Sequence, residues 1–174
     1  MAAILFVMDA LLTLVVVAFL LRAVMPLVRA DFRNPLGQAV LRFTDPLVRP
    51  LRRVIGPIGR VDVASIVALL LVQLAGAALL RLVAGGGFDL PATLVAGLVA
   101  LVRTLLRFYS VAVLAYAVLS WIAPGTYSPA TRLLAALCEP LLQPVRRILP
   151  PIAGLDLAPL FVLIGLQALQ ILLH

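Results

Sequence analysis

Lysine is absent from this chain, and cysteine and histidine occur once each, as Cys138 and the last residue, His174. A single cysteine excludes an intramolecular disulfide and a Cys-x-x-Cys-His haem attachment motif, and a single histidine leaves no His/Cys zinc cluster to build. No cofactor is expected. Serine, histidine and paired carboxylates do not gather at any plausible site, so the sequence points away from an enzyme. The run from Met1 to Asp9 has no positive region before its apolar residues and continues apolar for about 25 residues, so it reads as a retained span and not a cleaved signal.

What is present is apolar. Of 174 residues, 64% are hydrophobic, against about 45 to 50% in an ordinary soluble domain. The mean hydropathy is +1.21, and the expected solvent is a membrane. All fourteen cations are arginine and the formal charge is +7. These arginines flank apolar spans without interleaved aromatics for base stacking, which argues against nucleic acid and for anionic lipid headgroups.

A bilayer demands roughly 20 apolar residues per helix. Four segments qualify, at 3–28, 63–84, 97–122 and 157–173. Between the first two, Leu36, Val40, Phe43, Leu47, Leu51 and Val54 recur at helical spacing, and Gln38, Arg42, Asp45, Arg49 and Arg52 follow the same spacing on another side. Leu134, Leu137, Leu141, Val145 and Ile148 repeat the pattern opposite Arg132, Glu139, Gln143 and Arg146. Both stretches, 35–55 and 129–149, read as amphipathic helices at the membrane interface. Pro46, Pro50, Pro140 and Pro144 are expected to kink or divide them.

The two connectors belong to a longer duplication. Residues 46–73 recur without a gap 94 positions later, as from Pro46 to Pro140. Pro50, Arg52, Arg53, Pro57 and Ile58 match Pro144, Arg146, Arg147, Pro151 and Ile152, and Asp62, Ala64, Leu69 and Gln73 match Asp156, Ala158, Leu163 and Gln167. The expected fold is an all-α membrane protein with four transmembrane helices in two tandem parallel repeats, 1–84 and 93–174, joined by a Gly/Pro-rich linker at 85–92. Each repeat carries its proline-kinked amphipathic helix between two spans. Arg29, Arg33, Arg42, Arg49, Arg52, Arg53 and Arg60 lie in the first connector and Arg132, Arg146 and Arg147 in the second, against Arg81, Arg103 and Arg107 on the other side. The positive-inside rule then puts the connectors in the cytoplasm and both termini outside.

The stretch Asp45-Pro-Leu-Val-Arg-Pro-Leu-Arg-Arg53, followed by Pro57, Asp62 and Gln73, resembles the YggT (YlmG) family of small integral membrane proteins. Glu139-Pro-Leu-Leu-Gln-Pro-Val-Arg-Arg147 with Pro151, Asp156, Pro159 and Gln167 is similar again, and Ser120-Trp121 before it fits too. In the first copy Pro26-Leu27 stands for Ser-Trp and Ser65 for the proline. The resemblance implies a multi-pass protein of the bacterial inner membrane. It also implies suggested links to osmotic stress, ion uptake and cell division and, from plastid relatives, to assembly of the cytochrome b6f complex through haem attachment and to nucleoid or membrane organisation.

Asp62 and Asp156 each precede a span and read as helix N-caps, or as caps that also pair with Arg52 or Arg53 and with Arg146 or Arg147. Gln73 and Gln167 lie about 16 Å deeper, at 1.5 Å per residue. They read as interhelical hydrogen-bond donors or as the lining of a solute path, with Gln170 a turn away. Asp9 falls at the level of Arg103 and Arg81, which predicts an ion cluster near the outer surface, with snorkelling to headgroups the alternative. Arg49, Arg52, Arg53, Arg146 and Arg147 are candidates for lipid or partner contact. Two functions follow. One is a non-enzymatic accessory protein that helps organise or assemble membrane complexes, with an unidentified membrane or cytoplasmic protein as partner. The other is a small ion channel or transporter component lined by Asp62, Gln73, Asp156 and Gln167. A homo-oligomer suits so thin a bundle.

Overall fold

A computed structural model describes residues 1–28, 35–59, 61–87, 89–122, 128–149 and 156–173. Arg29, Arg33, Arg60, Pro151, Ile152 and His174 fall outside them, as does the side chain of Trp121. Among the described residues there are six helices and no strand: α1 (Ala2–Val24), α2 (Pro35–Val54), α3 (Val63–Val83), α4 (Leu90–Ile122), α5 (Pro129–Ile148) and α6 (Ala158–Leu172).

Three of them, α1, α3 and most of α4, are long and apolar enough to cross a membrane. With 15 residues, α6 rises only about 22 Å. The span expected over 3–28 stops earlier, because Pro26 brings no amide donor and the chain turns over residues 25–28. The linker expected over 85–92 is partly helical: α4 begins at Leu90, and buried Thr93 donates from its hydroxyl to the Asp89 carbonyl at 2.6 Å. With 33 residues α4 is about 50 Å long.

The connectors expected over 35–55 and 129–149 are continuous helices, so the expected division at the prolines does not occur. Pro46, Pro50, Pro140 and Pro144 all lie on exposed sides. There a carbonyl four residues back that loses its donor is not sealed in the core, which keeps the cost of an internal proline down. After α2, Ile58 and Val61 exchange two backbone hydrogen bonds of 3.1 and 3.0 Å. Gly59 sits at φ +60° in that turn, a backbone conformation that favours glycine.

The apolar helices pack in the order α1, α3, α4, α6, with α2 against α1 and α3 and α5 against α4 and α6. One core cluster joins α1, α2 and α3 around Phe19, Val48, Ala64 and Ala68, and another joins α4, α5 and α6 around Val113, Leu142, Ala158 and Val162. Each residue of the first set lies 94 positions before its counterpart in the second. A third, smaller cluster packs Met25, at the end of α1, against Leu133 and Leu137 of α5.

Candidate functional site

The polar groups of the first half collect where α2 meets α1 and α3. Arg22 of α1 is only 1% exposed. Its Nη1 donates to Thr44 Oγ1 at 2.7 Å, to Asp45 Oδ1 at 2.8 Å and to the Leu41 carbonyl at 3.3 Å, while its Nε donates to Ser65 Oγ at 3.2 Å. Asp45 is also paired with Arg49 one turn along α2, at 2.7 Å. One turn beyond Arg49's neighbours, Arg52 holds Asp62 through both carboxylate oxygens, with Nε 3.3 Å from Oδ1. Asp62 also caps α3, accepting from the Ser65 amide at 3.4 Å and from the Ser65 hydroxyl at 2.5 Å.

The second half reaches a similar end with fewer charges. Arg146 of α5 donates to Asp156 Oδ2 from Nε at 2.9 Å and from Nη2 at 2.7 Å, and to Glu139 Oε2 from Nη1 at 2.9 Å. Its Nη2 also reaches the Tyr116 hydroxyl at 3.1 Å. Asp156 Oδ1 accepts from the Ala158 amide at 3.0 Å, in the first turn of α6. Arg146, Asp156, Glu139 and Tyr116 stand 94 positions after Arg52, Asp62, Asp45 and Arg22. One arginine therefore serves two carboxylates where the first half uses two.

Electrostatics follow from this packing. Burial drives the Asp62 carboxyl upward, but hydrogen bonds from Arg52 and Ser65 and the charge of Arg52 outweigh it and hold the group below its ordinary value. Asp45 behaves likewise: burial raises it, and Arg22 and Arg49 bring it below the ordinary value. The Arg146 guanidinium is pushed higher still, since its bonds to Asp156 and Tyr116 overcome its partial burial. Cys138, fully buried on α5, has its thiol raised by burial to about 11.

Of the arginines singled out in the sequence, Arg52 and Arg146 thus face the start of the following apolar helix, Arg49 is paired within its own helix, and Arg53 and Arg147 are exposed. Arg22, Thr44, Ser65 and Tyr116 were not foreseen. Arg22 and Tyr116 occupy equivalent positions with different chemistry, so a search for identical repeated residues passes over both. A lone arginine inside an otherwise apolar segment was the available signal.

The end of the bundle that holds Asp9, Arg81 and Arg103 differs from expectation. Arg103 does not pair with Asp9; its Nη2 and Nε donate to the Leu173 carbonyl at 2.5 and 3.2 Å, at the C-terminal end of α6. That end carries carbonyls without helical donors, and α4 packs along α6, so the nearest acceptor lies there. Asp9 and Arg81 instead line one cavity of about 230 Å³ between α1, α3 and α4. No ion pair joins them among the described residues, and Arg81 Nε is buried without a hydrogen-bond partner. Gln73 lines the same cavity, Gln167 is exposed on α6, and neither makes an interhelical hydrogen bond among the described residues. Gln170 does, donating to Ser110 Oγ of α4 at 2.9 Å.

The described residues contain no group of three or more His, Cys, Asp or Glu side chains that could hold a metal ion. What they build are two ion-paired joints, each fixing a connector helix, α2 or α5, to the start of the apolar helix that follows it. Among the described residues this is an all-helical architecture with three helices long and apolar enough to cross a membrane. Family comparison places it further: the CCB3/YggT family model matches residues 1–83 and 95–174, and the chain belongs to that family. It is 39% identical to the uncharacterized protein PA0392 of Pseudomonas aeruginosa over 96% of this chain and 86% of that one. It is 35% identical to an uncharacterized protein in the proC 3′ region of Vibrio alginolyticus, covering 93% and 88%, and 34% identical to the uncharacterized protein YggT of Escherichia coli K12, covering 95% and 86%. No solved structure matches it.

Proposed function

We propose that this chain is a non-enzymatic accessory protein of the bacterial inner membrane, which helps organise or assemble membrane complexes through its two basic amphipathic helices. In this reading α6 serves as a fourth span, the two halves are parallel repeats, the connectors are cytoplasmic and the termini are outside. The matched core residues at a spacing of 94 support the repeat.

The surface of α2 carries the functional reading. One side, with Gly37, Thr44 and Val48, is buried against the spans. A second side is apolar yet bare, with Leu36 at 50%, Phe43 at 57% and Val54 at 86% exposure. A third side presents Arg42, Arg49 and Arg53, all exposed. A helix with those three sides suits the boundary between protein, acyl chains and headgroups. The joints at Asp62 and Asp156 hold both connectors in register with the spans, so outward Arg53 and Arg147 form a fixed basic surface and not a loose tail.

The test compares crosslinked complexes from native membranes for the wild type and for a variant with Arg42, Arg53, Arg132 and Arg147 all changed to alanine. Those side chains make no ion pair among the described residues, so the variant is expected to fold and to lose a defined partner. An unchanged set of partners overturns the accessory reading, and potassium or proton flux in liposomes then examines the channel alternative.

A further inference from the structure

Within the chain, the two halves meet through a joint whose counterpart is bare. On one side of that joint are α3 and the end of α1; on the other are α4 and α5. At its centre Gly97 of α4 lies so close to α3 that an added Cβ would stand 3.5 Å from Ala77 Cβ and 2.8 Å from Leu74 Cδ2. Leu101, Leu105 and Phe108 of α4 pack on the first core cluster, and Met25 is sealed at 0% exposure against Leu137.

Moving each residue by 94 positions gives the surfaces that would form the same joint again. Leu101, Leu105 and Phe108 become Val7, Leu11 and Leu14 of α1, exposed at 53, 58 and 68%. Ala77 becomes Ile171 of α6, at 74%. Met25 and Leu137 become Leu119 and Phe43, at 38 and 57%. Because the spans run α1, α3, α4, α6, these faces lie at the two ends of the row and do not reach each other within one molecule.

We infer that the outer face of α6 with the end of α4 receives the outer face of α1 with α2 from a second copy of this chain, repeating the internal joint head to tail. The inference rests on the two-repeat reading. A contact of this kind is heterologous, and it closes only if its rotation completes a ring. The smallest such ring has two copies and four repeats. It also gives Gln167 a place: its counterpart Gln73 lines the cavity at the internal joint, whereas Gln167 is exposed on α6, whose other amide, Gln170, is already bonded to Ser110. A primary amide facing acyl chains alone lacks hydrogen-bonding partners, and enclosure by a second copy removes that exposure.

The experiment uses the full chain with Cys138→Ala, so that only introduced thiols react. One tagged copy carries Ala3→Cys and a differently tagged copy carries Ile171→Cys, the counterparts of Gly97 and Ala77. The two are coexpressed and oxidised in native membranes. The expected product is a disulfide-linked species of roughly twice the 18.5 kDa chain mass, carrying both tags, and absent or at least about tenfold weaker when either variant is expressed alone. The internal joint is checked in a single chain with Ala77→Cys and Gly97→Cys, whose Cβ separation fits a disulfide. If that internal bond forms and the mixed dimer does not, the faces are covered by lipid and the inference falls. Dimers from Ala3→Cys alone indicate a symmetric contact and overturn it as well. Failure of the internal bond overturns the joint itself. Native mass spectrometry of the unmodified chain gives an independent reading, in which a monomer throughout contradicts the proposal.

Discussion

Arg22 directs its guanidinium to Thr44, Asp45, Ser65 and the Leu41 carbonyl, and so ties α1 to both α2 and α3. Replacing it with methionine keeps the length and removes every one of those donors, leaving Asp45 with Arg49 alone. The expected loss is about 3 kcal/mol, typical of breaking a buried charge pair, measured by denaturant unfolding in micelles. Arg22→Lys should recover only part, since a single ammonium cannot imitate a planar fork reaching both Ser65 and Asp45. A loss below about 1 kcal/mol for methionine would mean the network is no better than an exposed pair. The sequence could reveal that Asp62 needs a partner, but not which of Arg52 and Arg53 supplies it. Adjacent helical positions differ by about 100°, and the choice is made by Val48, whose burial rotates α2 until Arg52 faces α3 and Arg53 faces outward.

At the scale of the element, each connector is as firmly placed as its joint to the following helix. Asp62 has a folded-state value below its ordinary 3.8, so its stabilisation is fully present above that value and is lost as pH falls through the lower, folded one. Limited proteolysis around Arg49 to Arg53 should therefore stay constant from neutral pH to about 5 and rise only below 3.8. Loosening near pH 6 would assign the joint to some other group. At neutral pH, Asp62→Asn should free the connector while retaining the cap, and Asp62→Ala should also cost about 1 kcal/mol of capping. The existence of both connectors was legible from periodicity alone, down to a residue or two at each end. Their orientation was not: the apolar stripe through Leu36, Phe43 and Leu47 is bare, and the buried side runs through Gly37, Thr44 and Val48. Periodicity finds an apolar face, but in a bilayer such a face can be satisfied by lipid as well as by protein.

Across the whole molecule, the duplication carries a topology that labelling can check. With Cys138→Ala as background, a cysteine at Ala2 should react with a membrane-impermeant maleimide in intact cells, while cysteines at Val54 and Ile148 should react only after permeabilisation. Labelling of Val54 and Ile148 from opposite sides would make the halves inverted repeats and overturn the parallel arrangement. Repetition was plain in the sequence because identical residues recur at one spacing; the joint between the halves was hidden because Met25, Gly97 and Leu137 have unlike counterparts.

The shortness of α6 bears on the lipid as much as on the protein. With α6 as the fourth span proposed above, a hydrocarbon core of about 30 Å is not matched by a helix of about 22 Å, and Arg103, bonded to its carbonyl end, favours water and headgroups at that depth. Acyl chains beside α6 must shorten or bend to meet it, and this elastic deformation grows with bilayer thickness. In that four-span reading the chain carries a permanent dimple on one flank. Two copies that share a dimple deform less lipid than two that stand apart, so in the dimer proposed above the membrane's own stiffness adds to the pairing of α6 with a neighbour.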